Sequence, residues 1–257
     1  MKTKNLGFIG GGRITRILLQ GFINKNALPE KVVVYEPDKN AISALQKVFP
    51  KVQVTNSPND AALQDLVFIA VHPPAVMESL KAIKDVVSSS TVVISLAPKI
   101  GIDKMASVLP TNKLIRMIPN ATSVINEGFN PVIFAAEFEK NEKTKILTFL
   151  ENLGETFETE ESKLESYAII SAMLPTYFWF QWKEMELIAL KTGLTEDEAK
   201  NAVSSTLEKA LKLYYNSDLN PEEVMDLIPV KPIGDHESGI KEIFHTKLMG
   251  LFEKIKS

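Results

Sequence analysis

A cluster of three glycines near the amino terminus constrains the fold of this chain more than any other feature. Gly10, Gly11 and Gly12 follow an apolar run at residues 6–9 and precede a helical pattern at residues 14–23. This order of strand, glycine turn and helix is typical of the first βαβ unit of a dinucleotide-binding domain. In that unit Gly10 permits the tight turn, and Gly12 lets the backbone approach a pyrophosphate. Thr15 stands where the fingerprint has its third glycine or alanine.

An acidic residue ends the second predicted strand. Residues 31–36 form a β-branched run that closes on Glu36. An acid at this place bonds the ribose hydroxyls of the adenosine half and repels a 2′-phosphate. Glu36 therefore favours NAD, whereas the cations Arg13 and Lys39 would admit NADP, and the choice stays open. The alternative is that the glycines only form a turn and that Glu36 is a solvated strand end.

The chain changes from alternating strands and helices to helices alone. The first part has turn residues between short apolar runs, which predict strands at residues 6–9, 31–36, 52–55, 66–71, 91–95, 113–117 and 131–134. Later residues have helical patterns at 162–173, 175–192, 195–216 and 238–256. These patterns predict an α/β Rossmann domain with a parallel doubly wound sheet in residues 1–159, and an all-helical domain in residues 160–257.

The segment at residues 177–182 is apolar around most of its predicted helix. It reads Tyr-Phe-Trp-Phe-Gln-Trp and leaves no wide polar face for solvent. Two interpretations are open: the helix is buried in the core of its own domain, or it lies in a subunit interface. A charged stretch at residues 137–145 predicts the solvated start of another helix.

Composition excludes several classes of function. The chain has 257 residues, a net charge of −3 and no cysteine, which disfavours nucleic acid and anionic membranes and excludes thiolate chemistry. His72, His236 and His245 lack the spacing of metal ligands, so no metal is expected. No apolar stretch has the length of a membrane span, and the amino terminus leads directly into a strand. A cytoplasmic location is expected.

Three motifs resemble the pyrroline-5-carboxylate reductase family. The opening Gly7-Phe8-Ile9-Gly10-Gly11-Gly12 is similar to the family's first turn, and Ile69-Ala70-Val71-His72-Pro73 is similar to its Ala-Val-Lys-Pro. The most specific match is Arg116-Met117-Ile118-Pro119-Asn120 followed by Asn126-Glu127-Gly128. The resemblance implies NAD(P)H-dependent reduction of a cyclic imine to proline, and a homodimer, or a higher homo-oligomer, formed through the carboxyl-terminal helices.

The predicted cofactor site combines the glycine turn with the carboxyl ends of the other strands, where a doubly wound sheet binds its ligand. Asn56 is included because the resemblance implies a position near the adenosine ribose. The predicted NAD- or NADP-binding residues are Gly10, Gly12, Arg13, Ile14, Glu36, Asn56, Ala70, His72, Pro73, Ala97 and Asn120.

Departures from the family fall where the resemblance implies the substrate. The family's Ser-Gly-Ser-Gly-Pro-Ala-Tyr is Ser171-Ala172-Met173-Leu174-Pro175-Thr176-Tyr177 here, and its helix glutamate falls on Lys183. The family's Ser-Pro-Gly-Gly-Thr-Thr is matched, with a shift of one residue, by Lys231-Pro232-Ile233-Gly234-Asp235-His236. The family's catalytic residues are therefore not carried over. The predicted substrate-binding residues are Ser171, Pro175, Thr176 and Asp235.

Imine reduction needs a hydride, a proton for the nitrogen and a clamp for the carboxylate. His236 is the candidate proton donor because imidazole titrates near neutral pH. The alternative is that it is a polar loop residue without a catalytic role. Lys231 or Arg116 would offer charge to a carboxylate. Two other functions stay open: a β-hydroxyacid-dehydrogenase-like oxidoreductase, and a non-catalytic NAD(P)-binding homologue.

Overall fold

A computed structural model describes residues 5–256 of the chain. Its first part contains one sheet with strands β1 Leu6–Ile9, β2 Val32–Tyr35, β3 Gln53–Thr55, β4 Leu66–Ile69, β5 Val92–Ser95, β6 Leu114–Met117, β7 Gly128–Phe134 and β8 Gly154–Glu158. The strands lie in the order β3-β2-β1-β4-β5-β6-β7-β8. The seven predicted strands are confirmed. β8 was not predicted, because among its five residues only Thr156 is buried and no apolar pattern marks it.

The sheet is parallel from β1 to β6, and its last two strands run in the opposite direction. β7 pairs with β6 in antiparallel orientation, while β8 pairs with β7 in parallel orientation. The predicted parallel doubly wound sheet is confirmed, and these two strands extend it in the reverse direction. The reason is the short connection at residues 118–127, since a parallel crossover needs roughly a dozen residues or more.

Helical connections join the parallel strands. The helices of this part are α1 Arg13–Asn24, α2 Lys39–Val48, α3 Pro58–Ala62, α4 Pro73–Ile83, α5 Ile102–Ala106, α6 Lys140–Leu150 and α7 Leu164–Tyr167. Local sequence explains their starts: the Asp38 carboxylate accepts the first amides of α2, and α4 begins at a proline. The charged stretch at residues 137–145 does start a helix, with a capping box between Glu139 and Glu142.

The core lies between the sheet and these helices. All residues of β1, β4, β5 and β6 are buried, as expected for strands covered on both faces. The rings of Phe8 and Phe68 stack with centroids 4.8 Å apart across neighbouring strands. This packing fixes the strand ends that carry the predicted cofactor residues.

The chain divides into two compact units. Of the described residues, one unit comprises 5–172 together with 252–256, and the other comprises Met173–Leu251. The strands end at Glu158, although the first unit continues to Ala172, so the domain boundary between residues 159 and 160 stays a prediction. The helix predicted at residues 162–173 is instead a 3-10 turn at Glu161–Lys163, then α7, then a π-helical segment at Ala168–Ala172.

The second unit is helical. It contains α8 Pro175–Lys191, α9 Glu196–Asn216, α10 Pro221–Asp226 and most of α11 Glu237–Ile255. A capping box between Thr195 and Glu198 begins α9, and the bonds from Thr195 hold the pKa of the Glu198 carboxyl below its ordinary value. The short helix α10 was not predicted.

No helix in the described residues is both long and apolar enough to cross a membrane.

The aromatic helix α8 is not a core helix of this chain. Within residues 5–256 none of its residues is buried, and Trp179 and Phe180 are 47% and 67% exposed. The interpretation that it is buried in the core of its own domain is therefore wrong. Most of its large apolar side chains are exposed, although the rings of Tyr177 and Phe178 contact Phe244.

Candidate functional site

The predicted cofactor residues meet at one edge of the sheet. Six parallel strands, β1 to β6, end at this edge. The predicted residues that follow these ends are Gly10, Gly12, Glu36, Asn56, Ala70, His72, Pro73, Ala97 and Asn120. In an open α/β sheet this edge binds ligands, at the point where the strand order reverses. Here that point lies between β1 and β4.

The glycine turn has room for a side chain at Gly12 but not at Gly10. Gly10 has a φ of +108°, and a Cβ there would lie 2.5 Å from the carbonyl oxygen of Ala70. Gly12 is extended, and a Cβ there would meet nothing within 4 Å. The fold therefore requires glycine at residue 10, whereas glycine at residue 12 keeps a space open beside the turn.

The amino-terminal end of α1 is suited to an anion. The first amides of a helix have no partner within the helix. No side chain of the described residues caps this end, and its first turn contains no acid. Arg13 adds a positive charge where the helix dipole is already positive, an arrangement that a bound phosphate stabilises. The free amides, the cation and the open space at Gly12 fit a dinucleotide pyrophosphate.

The contacts of Thr15 explain why a threonine occupies the third position of the glycine fingerprint. Its side chain is fully buried, and its hydroxyl donates to the carbonyl oxygen of Gly10 at 2.5 Å. The bond ties the first turn of α1 to the glycine turn. A threonine therefore replaces the third glycine without disturbing the strand–turn–helix geometry.

Glu36 lies directly against the glycine turn. Its Oε2 accepts from the Gly11 amide at 2.8 Å, and its Oε1 accepts from the Asp38 amide at 2.9 Å. These bonds hold the carboxylate at the end of β2. A carboxylate has about four acceptor sites, so capacity remains for ribose hydroxyls.

Asn120 and Ser171, predicted for cofactor and substrate respectively, are in direct contact. The Asn120 Nδ2 donates to the carbonyl oxygen of Ser171 at 3.3 Å and to its Oγ at 3.2 Å. Its Oδ1 accepts from the amide and the hydroxyl of Thr122. The side chain of Asn120 thus holds the π-helical segment beside the end of β6. Such segments frequently occur at functional sites.

Arg116 is internal and does not serve a substrate. Its side chain is fully buried, and it pairs with Glu165 through Nη2 and with Glu161 through Nη1, the latter at 3.1 Å. The interpretation of Arg116 as a cation for a substrate carboxylate is therefore wrong. Sequence reasoning missed the two glutamates, although an arginine within the apolar strand Leu114–Met117 signals a need for an internal acid.

The remaining predicted substrate and catalytic residues lie in the second unit. Pro175 and Thr176 begin α8, and the hydroxyl of Thr176 donates to the carbonyl oxygen of Met173 at 2.6 Å. Asp235 and His236 form an exposed 3-10 turn just before α11. Tyr177 follows Thr176 on α8, and partial burial raises the pKa of its phenol. The roles of these residues stay predictions.

Comparisons with known proteins agree with this architecture. Residues 5–99 match the family model described as NADP oxidoreductase coenzyme F420-dependent. Pyrroline-5-carboxylate reductase of Escherichia coli is 24% identical over 88% of this chain and 84% of its own length. The Corynebacterium melassecola enzyme of the same name is 23% identical over 96% of this chain and 93% of its own length. A Plasmodium falciparum pyrroline carboxylate reductase structure with NADP bound has a TM-score of 0.79 at 24% identity. The match covers 99% of this chain and 96% of that one.

The fold and the site at the carboxyl ends of the parallel strands define a Rossmann-type oxidoreductase that uses NAD or NADP. Within that class, the chain is similar to pyrroline-5-carboxylate reductases over nearly its whole length, at 23–24% identity. No group of His, Cys, Asp or Glu residues able to hold a metal ion occurs in the described part of the chain.

Proposed function

We propose that this chain reduces a cyclic imine carboxylate, pyrroline-5-carboxylate or a close relative, to the corresponding cyclic amino acid. The observation that carries the proposal is the open, uncapped turn at Gly12 and α1, placed at the edge where six parallel strands end. The relatives that match nearly the whole chain support this substrate by their names.

The reaction adds a hydride to the imine carbon and a proton to the imine nitrogen. Bound NAD(P)H supplies the hydride. The glycine turn and the first turn of α1 hold the pyrophosphate, while Glu36 bonds the ribose hydroxyls. His236 is the candidate for delivering the proton, and Lys231 in the same loop offers a charge to the carboxylate.

Turnover is the direct test. We expect purified protein to consume NADH or NADPH only when pyrroline-5-carboxylate is present, followed by nicotinamide absorbance. His236→Gln should lower kcat by roughly 100-fold, the usual size of a general-acid contribution. His245→Gln is the control, since His245 is exposed on α11.

Two outcomes would contradict this proposal. Tight cofactor binding without turnover at high protein concentration would favour a non-catalytic homologue, which the altered loop at residues 231–236 also suggests. An unchanged rate in His236→Gln would remove His236 as the proton donor while leaving the reductase intact.

We further propose that the chain prefers NAD to NADP. The carboxylate of Glu36 is held by the amides of Gly11 and Asp38, so it cannot swing away from a 2′-phosphate without losing two hydrogen bonds. A fixed negative charge at this place repels the phosphate. Arg13 acts against this preference, because it is an exposed cation on the neighbouring turn.

Glu36→Gln tests that preference. We expect NADH to bind about 10-fold more tightly than NADPH, and the variant to bring the two dissociation constants together, measured by nicotinamide fluorescence. Glu30→Gln removes an equal charge just before β2, at the opposite edge of the sheet, and should leave the ratio unchanged. Tighter binding of NADPH by the wild-type chain would contradict the proposal.

We also propose a homodimer formed through the helices of the second unit. Exposed apolar side chains are concentrated there, and α8 carries Trp179, Phe180, Met185 and Ile188 without cover in the chain. A concentration of exposed apolar side chains of this kind marks a protein interface. A cytoplasmic location stays a prediction from the sequence.

A further inference from the structure

The connection after β5 has an unusual backbone. Lys99 adopts a φ of +77°, in the left-handed region that lysine rarely occupies. It lies between Ala97, which is buried, and α5, which begins at Ile102. Backbone outliers of this kind persist only where the surroundings hold them in place, and they are concentrated at functional sites.

Two carboxylates hold this connection. The Oε1 of Glu165 accepts from the Lys99 amide at 3.1 Å, and the Oε1 of Glu161 accepts from the Ile102 amide at 3.0 Å. Both acids come from the segment after β8, more than fifty residues away in sequence. They therefore hold the middle of the connection, at Lys99, and the start of α5, at Ile102.

A buried arginine holds the two carboxylates. The side chain of Arg116 has no exposed surface, and its two Nη atoms reach Glu161 and Glu165. Its Nε is buried without a hydrogen-bond partner among the described residues. A buried pair such as Arg116 and Glu165, with one unsatisfied donor, is costly, and apolar side chains would fill the space at less cost. Stability alone does not account for the cluster.

The position of the connection suggests what the cluster is for. β5 lies between β4 and β6 in the half of the sheet beyond the crossover point. The glycine turn and Glu36 occupy the other half, which takes the adenosine end of a dinucleotide. The connection at residues 97–102 is therefore on the side that receives the nicotinamide end.

We propose that Arg116, Glu165 and Glu161 are positioning residues that fix residues 97–102 as the seat of the nicotinamide half of the cofactor. The inference rests on the proposed dinucleotide function and concerns only this half of the ligand. The arginine orients the carboxylates, and the carboxylates hold Lys99 and Ile102. None of the three side chains needs to touch the cofactor.

The test compares a complete dinucleotide with one that lacks nicotinamide. In Glu165→Gln we expect the affinity for NADH to fall about 10-fold, while the affinity for ADP-ribose changes less than twofold. Calorimetric titration measures both ligands, and thermal unfolding confirms that the variant is folded at the assay temperature. Glu161→Gln, at a partly exposed position, is the milder second variant and should give a smaller loss of the same kind.

Lys99→Gly provides a rescue. Glycine adopts positive φ without steric cost, so the connection no longer depends on the carboxylates for its shape. Adding Lys99→Gly to Glu165→Gln should recover at least half of the lost NADH affinity.

Equal losses for NADH and ADP-ribose, or no loss for either, would overturn this inference and leave the proposed function standing. A failed rescue would also count against it. If the wild-type chain bound neither ligand, the proposed function would fail, and the inference with it.

Discussion

Gly12→Val is expected to remove dinucleotide binding while leaving the fold intact. Gly12 is extended, a conformation that valine adopts readily, and a Cβ there would meet nothing within 4 Å. The side chain would instead fill the space in front of the α1 amides. Losing two charge-assisted hydrogen bonds to phosphate costs about 3 kcal/mol or more, which corresponds to at least a 100-fold weaker dissociation constant.

Fluorescence titration with NADH measures this loss, and thermal unfolding checks the fold. Gly239→Val is the matched control, because Gly239 also has nothing within 4 Å of an added Cβ but lies on α11. It should bind NADH normally. Retained NADH affinity in Gly12→Val would mean that the phosphates bind elsewhere, and the site at this turn would have to be abandoned.

Phe180→Glu is expected to convert a dimer into a monomer. Phe180 is the most exposed of the large apolar residues of α8. Losing its burial costs about 2 kcal/mol for each copy, and a two-fold interface contains two copies. The dissociation constant of the dimer should therefore rise roughly 1000-fold.

Sedimentation velocity over a range of protein concentrations follows this change. Ser43→Glu introduces the same charge at an exposed position of α2 in the first unit, and it should leave the dimer unchanged. A wild-type chain that sediments as a monomer at every concentration would refute the proposed interface. It would also leave the apolar surface of α8 without an explanation.

Local patterns in the sequence predicted much of the first unit. Apolar runs between turn residues predicted β1 to β7, and the glycine cluster predicted the turn before α1. These features depend on residues near one another in the chain. The direction of β7 could not be predicted from local patterns, because it depends on the short connection before the strand. The edge strand β8 was missed because its residues have little apolar pattern.

The arrangement around Arg116 depended on contacts distant in sequence. The strand Leu114–Met117 was predicted, but the arginine in it was interpreted, as an alternative to Lys231, as a cation for a substrate carboxylate. Its partners Glu161 and Glu165 lie more than forty residues later. Glu165 lies within the helix predicted at residues 162–173, and Glu161 directly precedes it. The observed segment passes from a 3-10 turn through α7 to a π-helical segment. No local pattern pairs these residues.

The sequence by itself determined the Rossmann class and the place of the glycine turn, because periodicity, glycine and strand ends are local properties. Only the tertiary structure decided which residues are available at that turn. A side chain at Gly12 would have room, whereas one at Gly10 would clash with Ala70, and Glu36 accepts a hydrogen bond from the Gly11 amide. Elsewhere, Arg116 is fully buried. Availability depends on what distant segments cover, and folding brings those segments together.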